Sequence, residues 1–305
     1  VSAVQGIGVA ERQQPDEPPP PRERGRRLTP YLLLLPGMAW LIGFFVVPLF
    51  TLLSTSTQTR PSGAEIGVYR QTFRLANYTD SISEYATVFL RSFGYAFLAT
   101  VAALVIAYPL AYAIAFRSGR WRNVLLVLVV APFFVSFLLR TIAWKQILAD
   151  EAWVADLLRT LHLIGPQTHI INSPVAVVIG ITYNFLPFMI LPVYASLERV
   201  DPRLIEAAGD LYASGWTALR KVTIPLSMPG IVAGTLLTFI PAAGDYVNSA
   251  LLGNRDTTMV GNVIDARFLR VVDYPTASVL SVTLMVAILV LVATYIRRAG
   301  TDELV

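Results

Sequence analysis

The chain has 305 residues, 55% of them hydrophobic and only 14% charged, with a mean hydropathy of +0.59. Soluble domains carry roughly 25% charged residues, so the composition sets this chain apart from them and points to a polytopic membrane protein. The net charge of +4 could suggest nucleic acid as a partner. The basic residues, however, lie in short clusters beside apolar spans, where they orient a chain in a membrane. Without cysteine there are neither disulfides nor thiolate metal sites.

Residues 1–28 are rich in Pro, Glu and Arg and show no periodicity, which predicts a disordered cytoplasmic tail. The span after its basic cluster is too long for the apolar core of a cleaved signal peptide. Six stretches are long enough to cross ~30 Å of hydrocarbon: 31–55, 92–116, 124–148, 173–197, 229–252 and 277–296. Together they define an all-α integral membrane domain over 29–300, followed by a short C-terminal tail, 301–305.

Arg22 to Arg27, then Arg117, Arg120 and Arg122, then Arg199, Arg203, Arg220 and Lys221, then Arg297 and Arg298 alternate with the spans. They share one face if both termini are cytoplasmic. The opposite loops, 56–91, 149–172 and 253–276, mix both signs. No internal repeat is visible, so an inverted-repeat carrier gains no support.

The segment 198–228 is polar and helix-competent, held between two apolar spans. Asp201 can cap a helix that starts at Pro202, and Leu204, Ile205, Ala208 and Leu211 then share one side. Ser214 offers a second cap ahead of Trp216, Leu219 and Val222. Two short amphipathic helices on the positive side of a membrane make a surface suited to another protein.

Within the spans, Asp245 is the sharpest candidate for transport chemistry. It follows Pro241, Ala242, Ala243 and Gly244, a run that loosens a helix, and Tyr246 stands beside it. A carboxylate at membrane depth costs about 2.5–3.5 kcal/mol and so faces the bundle interior and takes a partner. Arg140, counted along its own span, reaches a similar depth. Three readings stay open: a permanent Arg140–Asp245 pair, a substrate contact by Asp245, or a gate exchanging between the two. Trp144 and Lys145 read as an interfacial anchor closing the third span, with Trp144 also a candidate for the substrate path. Tyr183 and Asn184, ahead of Pro187, could line that path, although Asn184 equally suits a bond to another helix. Gly230 and Gly234 suit close helix packing.

The motifs of an engine are missing. The two lysines, Lys145 and Lys221, stand outside any GxxxxGK[ST] loop, so the usual phosphate cradle is lacking. His162 and His169 share one loop without the cysteines or carboxylate spacing that would complete a metal site. No nucleophile–base motif is visible either, and a transport role without enzymatic activity is expected.

Glu206-Ala207-Ala208, followed by Val222-Thr223-Ile224-Pro225, resembles the EAA loop of permease subunits of bacterial type I ABC importers. Phe73-Arg74-Leu75-Ala76-Asn77-Tyr78 is similar to the F-x-L-x-N-Y element that precedes the second span in that family. The stretches 132–148 and 239–253, continuing to Gly261-Asn262-Val263-Ile264, look like the spermidine/putrescine-importing type. The resemblance implies a six-helix importer permease in the bacterial inner membrane, with 198–228 forming cytoplasmic coupling helices. It implies an ATPase dimer as the cytoplasmic partner, holding the ATP and magnesium, with no cofactor on this chain. A second homologous permease subunit, an external solute-binding protein, membrane lipid and a polyamine substrate are the other expected partners.

Glu206, Ala207, Ala208, Tyr212, Ser214, Gly215 and Trp216 would then couple to the ATPase. Glu206 could instead serve its own helix dipole, and Trp216 could instead staple the two short helices together. The family's loop usually has glycine where this chain has Tyr212. A residue with φ > 0 there costs tyrosine on the order of 1 kcal/mol, so either the turn shifts toward Ser214-Gly215 or the strain is tolerated. A permease for sulfate, iron or thiamine is the nearest rival. A passive channel, a proton-coupled carrier and a membrane scaffold are more distant ones.

Overall fold

The computed structural model describes residues 29–162, 164–165 and 168–299. The tails expected over 1–28 and 301–305 lie outside the described residues. The domain expected over 29–300 divides after Phe50 into two units. Helix α1, Tyr31–Ser56, is predominantly apolar and continues past both Pro36 and Pro48. The packing described below belongs to the second unit, which begins at Thr51.

A two-residue hairpin, β1 (Gln58–Thr59) and β2 (Arg70–Gln71), leads to α2, Ala76–Phe116. At 41 residues α2 starts well before the expected span, so much of the loop expected over 56–91 is helix. The F-x-L-x-N-Y element fastens this corner. Asn77 Nδ2 donates to the Ser56 and Gln58 carbonyls (3.0 and 2.9 Å), and the Tyr78 and Ser56 hydroxyls are 2.7 Å apart.

Two of the expected straight spans are broken. The third is α3, Gly119–Phe134, followed by α4, Phe137–Ile147, turned by 96°. Pro132 tightens the end of α3, and Val135 and Ser136 then run extended, with ψ of 139° and 136°. A single straight crossing over 124–148 is therefore replaced by two helices at nearly a right angle. After α5 (Trp153–Thr160) comes α6, Pro174–Glu198, started by the Ser173 cap with Pro174 at its first position.

Beyond α6 come α7 (Pro202–Asp210) and α8 (Gly215–Leu226). A 67° bend at Ser227 then leads into α9, Met228–Ala243. The fifth span stops at Gly244 and resumes as α10, Val247–Leu252. Then follow α11 (Val260–Asp265) and α12 (Tyr274–Ala299).

Helix α6 is the axis of the bundle, packed against α2 and α9. Hydrocarbon supplies no hydrophobic force between helices, so close backbone approach through small residues has to hold them. Helix α2 presents Ser92, Ala96, Ala99, Ala103, Ala107 and Ala111, all buried at helical spacing. Gly230 and Gly234 serve the other side. A Cβ on Gly230 would lie 2.5 Å from the Pro192 carbonyl oxygen, and one on Gly234 2.9 Å from Met189 Sδ.

Candidate functional site

The coupling segment is built as its caps predict. Asp201 Oδ1 accepts from the Arg203 amide at 3.0 Å, opening α7, and Ser214 Oγ accepts from the Thr217 amide at 3.3 Å, opening α8. Between them the Ala213 amide donates to the Ala208 carbonyl (3.0 Å) and the Tyr212 amide to the Gly209 carbonyl (2.9 Å). This is the Schellman pair of bonds, which needs a left-handed residue at the position after the cap. That residue is Tyr212, at φ 60°, so the turn has not moved to Ser214-Gly215 and tyrosine carries the strain.

The apolar side chains of this loop have little to cover them. Tyr212 is 99% exposed, Leu211 82% and Trp216 70%, which is not the burial of a staple between α7 and α8. Glu206, Ala207, Ser214 and Gly215 are exposed and Ala208 is half-buried. Glu206 makes no ion pair among the described residues. The segment is tied back to the bundle at two places. Arg122 pairs with Glu198 and bonds the Tyr194 hydroxyl at the end of α6, and the Tyr108 hydroxyl lies 3.0 Å from Ser227 Oγ at the bend.

The second site lies where the broken spans meet α6. Asn184 is fourteen residues from the end of α6, or ~21 Å along it. Asn184 Nδ2 donates to Thr141 Oγ1 on α4 (3.1 Å) and to Asn248 Oδ1 on α10 (3.0 Å), and Thr141 Oγ1 donates to Asn248 Oδ1 (3.3 Å). Asn248 then holds Asp245. Its amide donates to Asp245 Oδ1 at 2.8 Å and its Nδ2 to Oδ2 at 2.7 Å. Asp245, Thr141, Asn184 and Asn248 are all buried. Gly261 lets α11 approach the break, since a Cβ there would meet the Gly244 carbonyl oxygen at 2.6 Å. Asn262 Nδ2 donates to the Tyr246 carbonyl at 2.7 Å, while the Tyr246 side chain stays 49% exposed.

The Arg140–Asp245 pair is not formed. Arg140 is 91% buried by its 9% exposure, yet Nε and Nη1 have no hydrogen-bond partner. Its guanidinium lies over Phe133 (4.9 Å to the centroid) and Phe137 (5.7 Å). The count along a straight span that equated the two depths fails, because α4 turns aside at Ser136 before Arg140 is reached. Arg140 and Tyr183 line a cavity of about 290 Å³ whose other walls are aliphatic or proline. Trp144, half-buried, packs edge-on against Tyr183, ring centroids 5.2 Å apart, while Lys145 is exposed.

The structure thus joins Asn184 to Asp245 through hydrogen bonds, with Tyr183 beside Asn184 in the chain and Arg140 and Trp144 on α4. Thr141 and Asn248 join them without having been singled out. The available signal for Asn248 was its place three residues after Asp245, the spacing at which a carboxylate caps a helix start.

At the end of α2 remote from Phe116, a cavity of about 540 Å³ is lined by Arg60, Tyr69, Arg74, Asp80, Glu84 and Asp273, among others. Arg74 pairs with Asp80 at 3.2 Å and Arg267 with Asp273 at 3.4 Å. Tyr69 donates its hydroxyl to the Val272 carbonyl at 2.7 Å; burial first, and then the Asp273 carboxylate, raise its pKa and keep it a donor. His169 pairs with Asp150 at 2.7 Å in the loop after α5.

A membrane bundle with an exposed helical hairpin at one end and a polar break at its centre is the architecture of a transport component rather than an enzyme. The chain belongs to the family of binding-protein-dependent transport system inner membrane components, whose model matches residues 107–299. It is therefore a multi-pass inner-membrane permease of the ABC importer class.

Among curated proteins it is 36% identical over 263 residues to the spermidine/putrescine transport system permease protein PotB of Escherichia coli K12, covering 86% of this chain and 94% of that one. PotB of Haemophilus influenzae is 36% identical over 260 residues, 85% of this chain and 90% of that one. Among solved structures, a chain of a bacterial alginate ABC transporter, in complex with an alginate pentasaccharide-bound periplasmic protein, superposes with a TM-score of 0.65. The identity is 17%, with 91% of this chain and 96% of that one covered, a likeness of fold alone.

Proposed function

We propose that this chain forms half of the pore of an ATP-driven importer and conducts a polyamine of the spermidine/putrescine kind. The ligand is handed over by an external binding protein, and a second, homologous permease subunit completes the pore. Both termini lie in the cytoplasm, and a pair of ATPase subunits that hold the ATP and magnesium engages residues 206–216.

The observation that carries the reading is Asp245: a carboxylate 7% exposed at a break in a membrane helix, held by amide donors alone and paired with no cation among the described residues. A buried carboxylate without a counter-charge is a place for a cation. A polyamine brings ammonium groups, and Trp144 and Tyr183 add the aromatic faces that attract them. The identity to PotB supports the same substrate class. The three uncovered side chains Leu211, Tyr212 and Trp216 support the docking role.

ATP-dependent uptake of labelled spermidine into proteoliposomes holding the whole complex tests it. Asp245→Asn abolishes uptake while the complex still assembles; normal uptake by that variant rejects the assignment. Arg140 favours a second reading, because an unpaired guanidinium facing a cavity suits an anion such as sulfate. Uptake of labelled sulfate, lost in Arg140→Gln, would decide for it.

A further inference from the structure

We propose that Asn248 is a resident stand-in for the substrate cation: it occupies Asp245 in the empty pore and is displaced when an ammonium group arrives. This rests on the reading of Asp245 as the polyamine contact and adds the group that sets how readily that contact is made.

Both carboxylate oxygens receive hydrogen from Asn248, one from its amide and one from its side chain. An ammonium approaching the same oxygens has to compete with the side-chain donor, because the amide is fixed by the start of α10. The carboxamide is held in this orientation from behind. Thr141 Oγ1 and Asn184 Nδ2 both donate to its Oδ1, which turns Nδ2 toward Asp245.

The displaced donor has somewhere to go. Asn184 Oδ1 is buried and has no hydrogen-bond partner, the one vacant side-chain acceptor of this cluster. A side-chain rotation of Asn248 moves Nδ2 from Asp245 toward that oxygen and leaves Asp245 Oδ2 to the cation. Two arrangements of one carboxamide therefore correspond to an empty and a loaded carboxylate. The anchors lie on α4 and α6, so relative movement of these helices changes the balance between the two.

Asn248 is thus a positioning residue, and its removal should tighten cation binding rather than weaken it. Losing one donor to a charged acceptor changes the competition on the order of tenfold. The test measures equilibrium binding of labelled spermidine to the complete complex in nanodiscs, without binding protein or ATP, alongside the maximal rate of coupled uptake. Asn248→Ala is expected to bind about tenfold tighter and to transport more slowly at saturation, because release becomes harder. Thr141→Val, which removes one anchor, shifts binding the same way by about two- to threefold.

Asn248→Ala leaves Thr141 its bond to the Phe137 carbonyl and Asn184 one of its two N–H bonds, that to Thr141. Should it still fail to assemble, Thr141→Val decides alone. Binding equal to or weaker than wild type in the assembled variants overturns the proposal. The Asp245→Asn control separates the two levels. Wild-type binding there removes the polyamine contact itself, whereas loss there with no effect of Asn248→Ala or Thr141→Val removes only the displacement.

Discussion

Replacing Tyr212 separates two properties that the coupling loop combines in one residue. Its φ of 60° is a conformation that a side chain with a Cβ adopts at a cost of ~1 kcal/mol and glycine adopts freely. Its ring is 99% exposed, so removing it forfeits no internal packing. Tyr212→Gly relieves the strain and loses the ring, whereas Tyr212→Ala keeps the strain and loses the ring. Hydrogen exchange at the Tyr212 and Ala213 amides, which make the two turn bonds, reports the first property. A relief of ~1 kcal/mol slows exchange about fivefold in the glycine variant of the isolated permease and not in the alanine one. Co-purification of the ATPase subunits reports the second, and both variants retain less of them than wild type. Equal exchange in the two variants would refute the left-handed turn, and full ATPase retention by both would refute a docking role for the ring.

Gly230→Ala forces a methyl group to within 2.5 Å of the Pro192 carbonyl oxygen and should destabilise the α6–α9 contact by ~1–3 kcal/mol, read as a lower thermal midpoint in detergent. Arg140→Met removes a buried guanidinium with two unpartnered nitrogens, so the bundle should melt at or above the wild-type temperature; a fall of several degrees would reveal an ionic partner. Because the chain has no cysteine, single cysteines can map exposure. A thiol at Trp216 should react with a maleimide in the isolated permease and be shielded once the ATPase subunits are bound, and equal labelling in both states would place the docking surface elsewhere.

The parts that could be read from the sequence are those set by local chemistry. Asp201 before Pro202 and Ser214 before Gly215 are caps whose partners lie two or three residues away, so the two short helices follow from their own composition. Apolar length located the four helices long enough to cross and the two bent pairs that stand where further crossings were expected, because hydrocarbon thickness is a property of the solvent and not of the fold. The bends were hidden for the same reason. Window hydropathy is blind to direction, and Pro132, Val135 and Ser136 form a corner inside a run that remains apolar enough to cross. The pairing of Arg140 with Asp245 failed at this corner, since depth counted along a helix holds only while the helix is straight.

The same corners explain why polar residues gather where they do. Each break frees backbone groups that hydrocarbon cannot satisfy, so the chain has to bring side-chain donors and acceptors to the two ends it creates. Thr141 lies one turn into α4, Asn248 near the start of α10, and Asn184 on the unbroken helix between them; the three side chains bond to one another. A cluster that closes two helix breaks against each other also links three helices, α4, α6 and α10, through side chains alone. Stability and gating then make the same demand on Asn248. Its bonds must be strong enough to keep a bare carboxylate at membrane depth and weak enough for a cation to replace one of them.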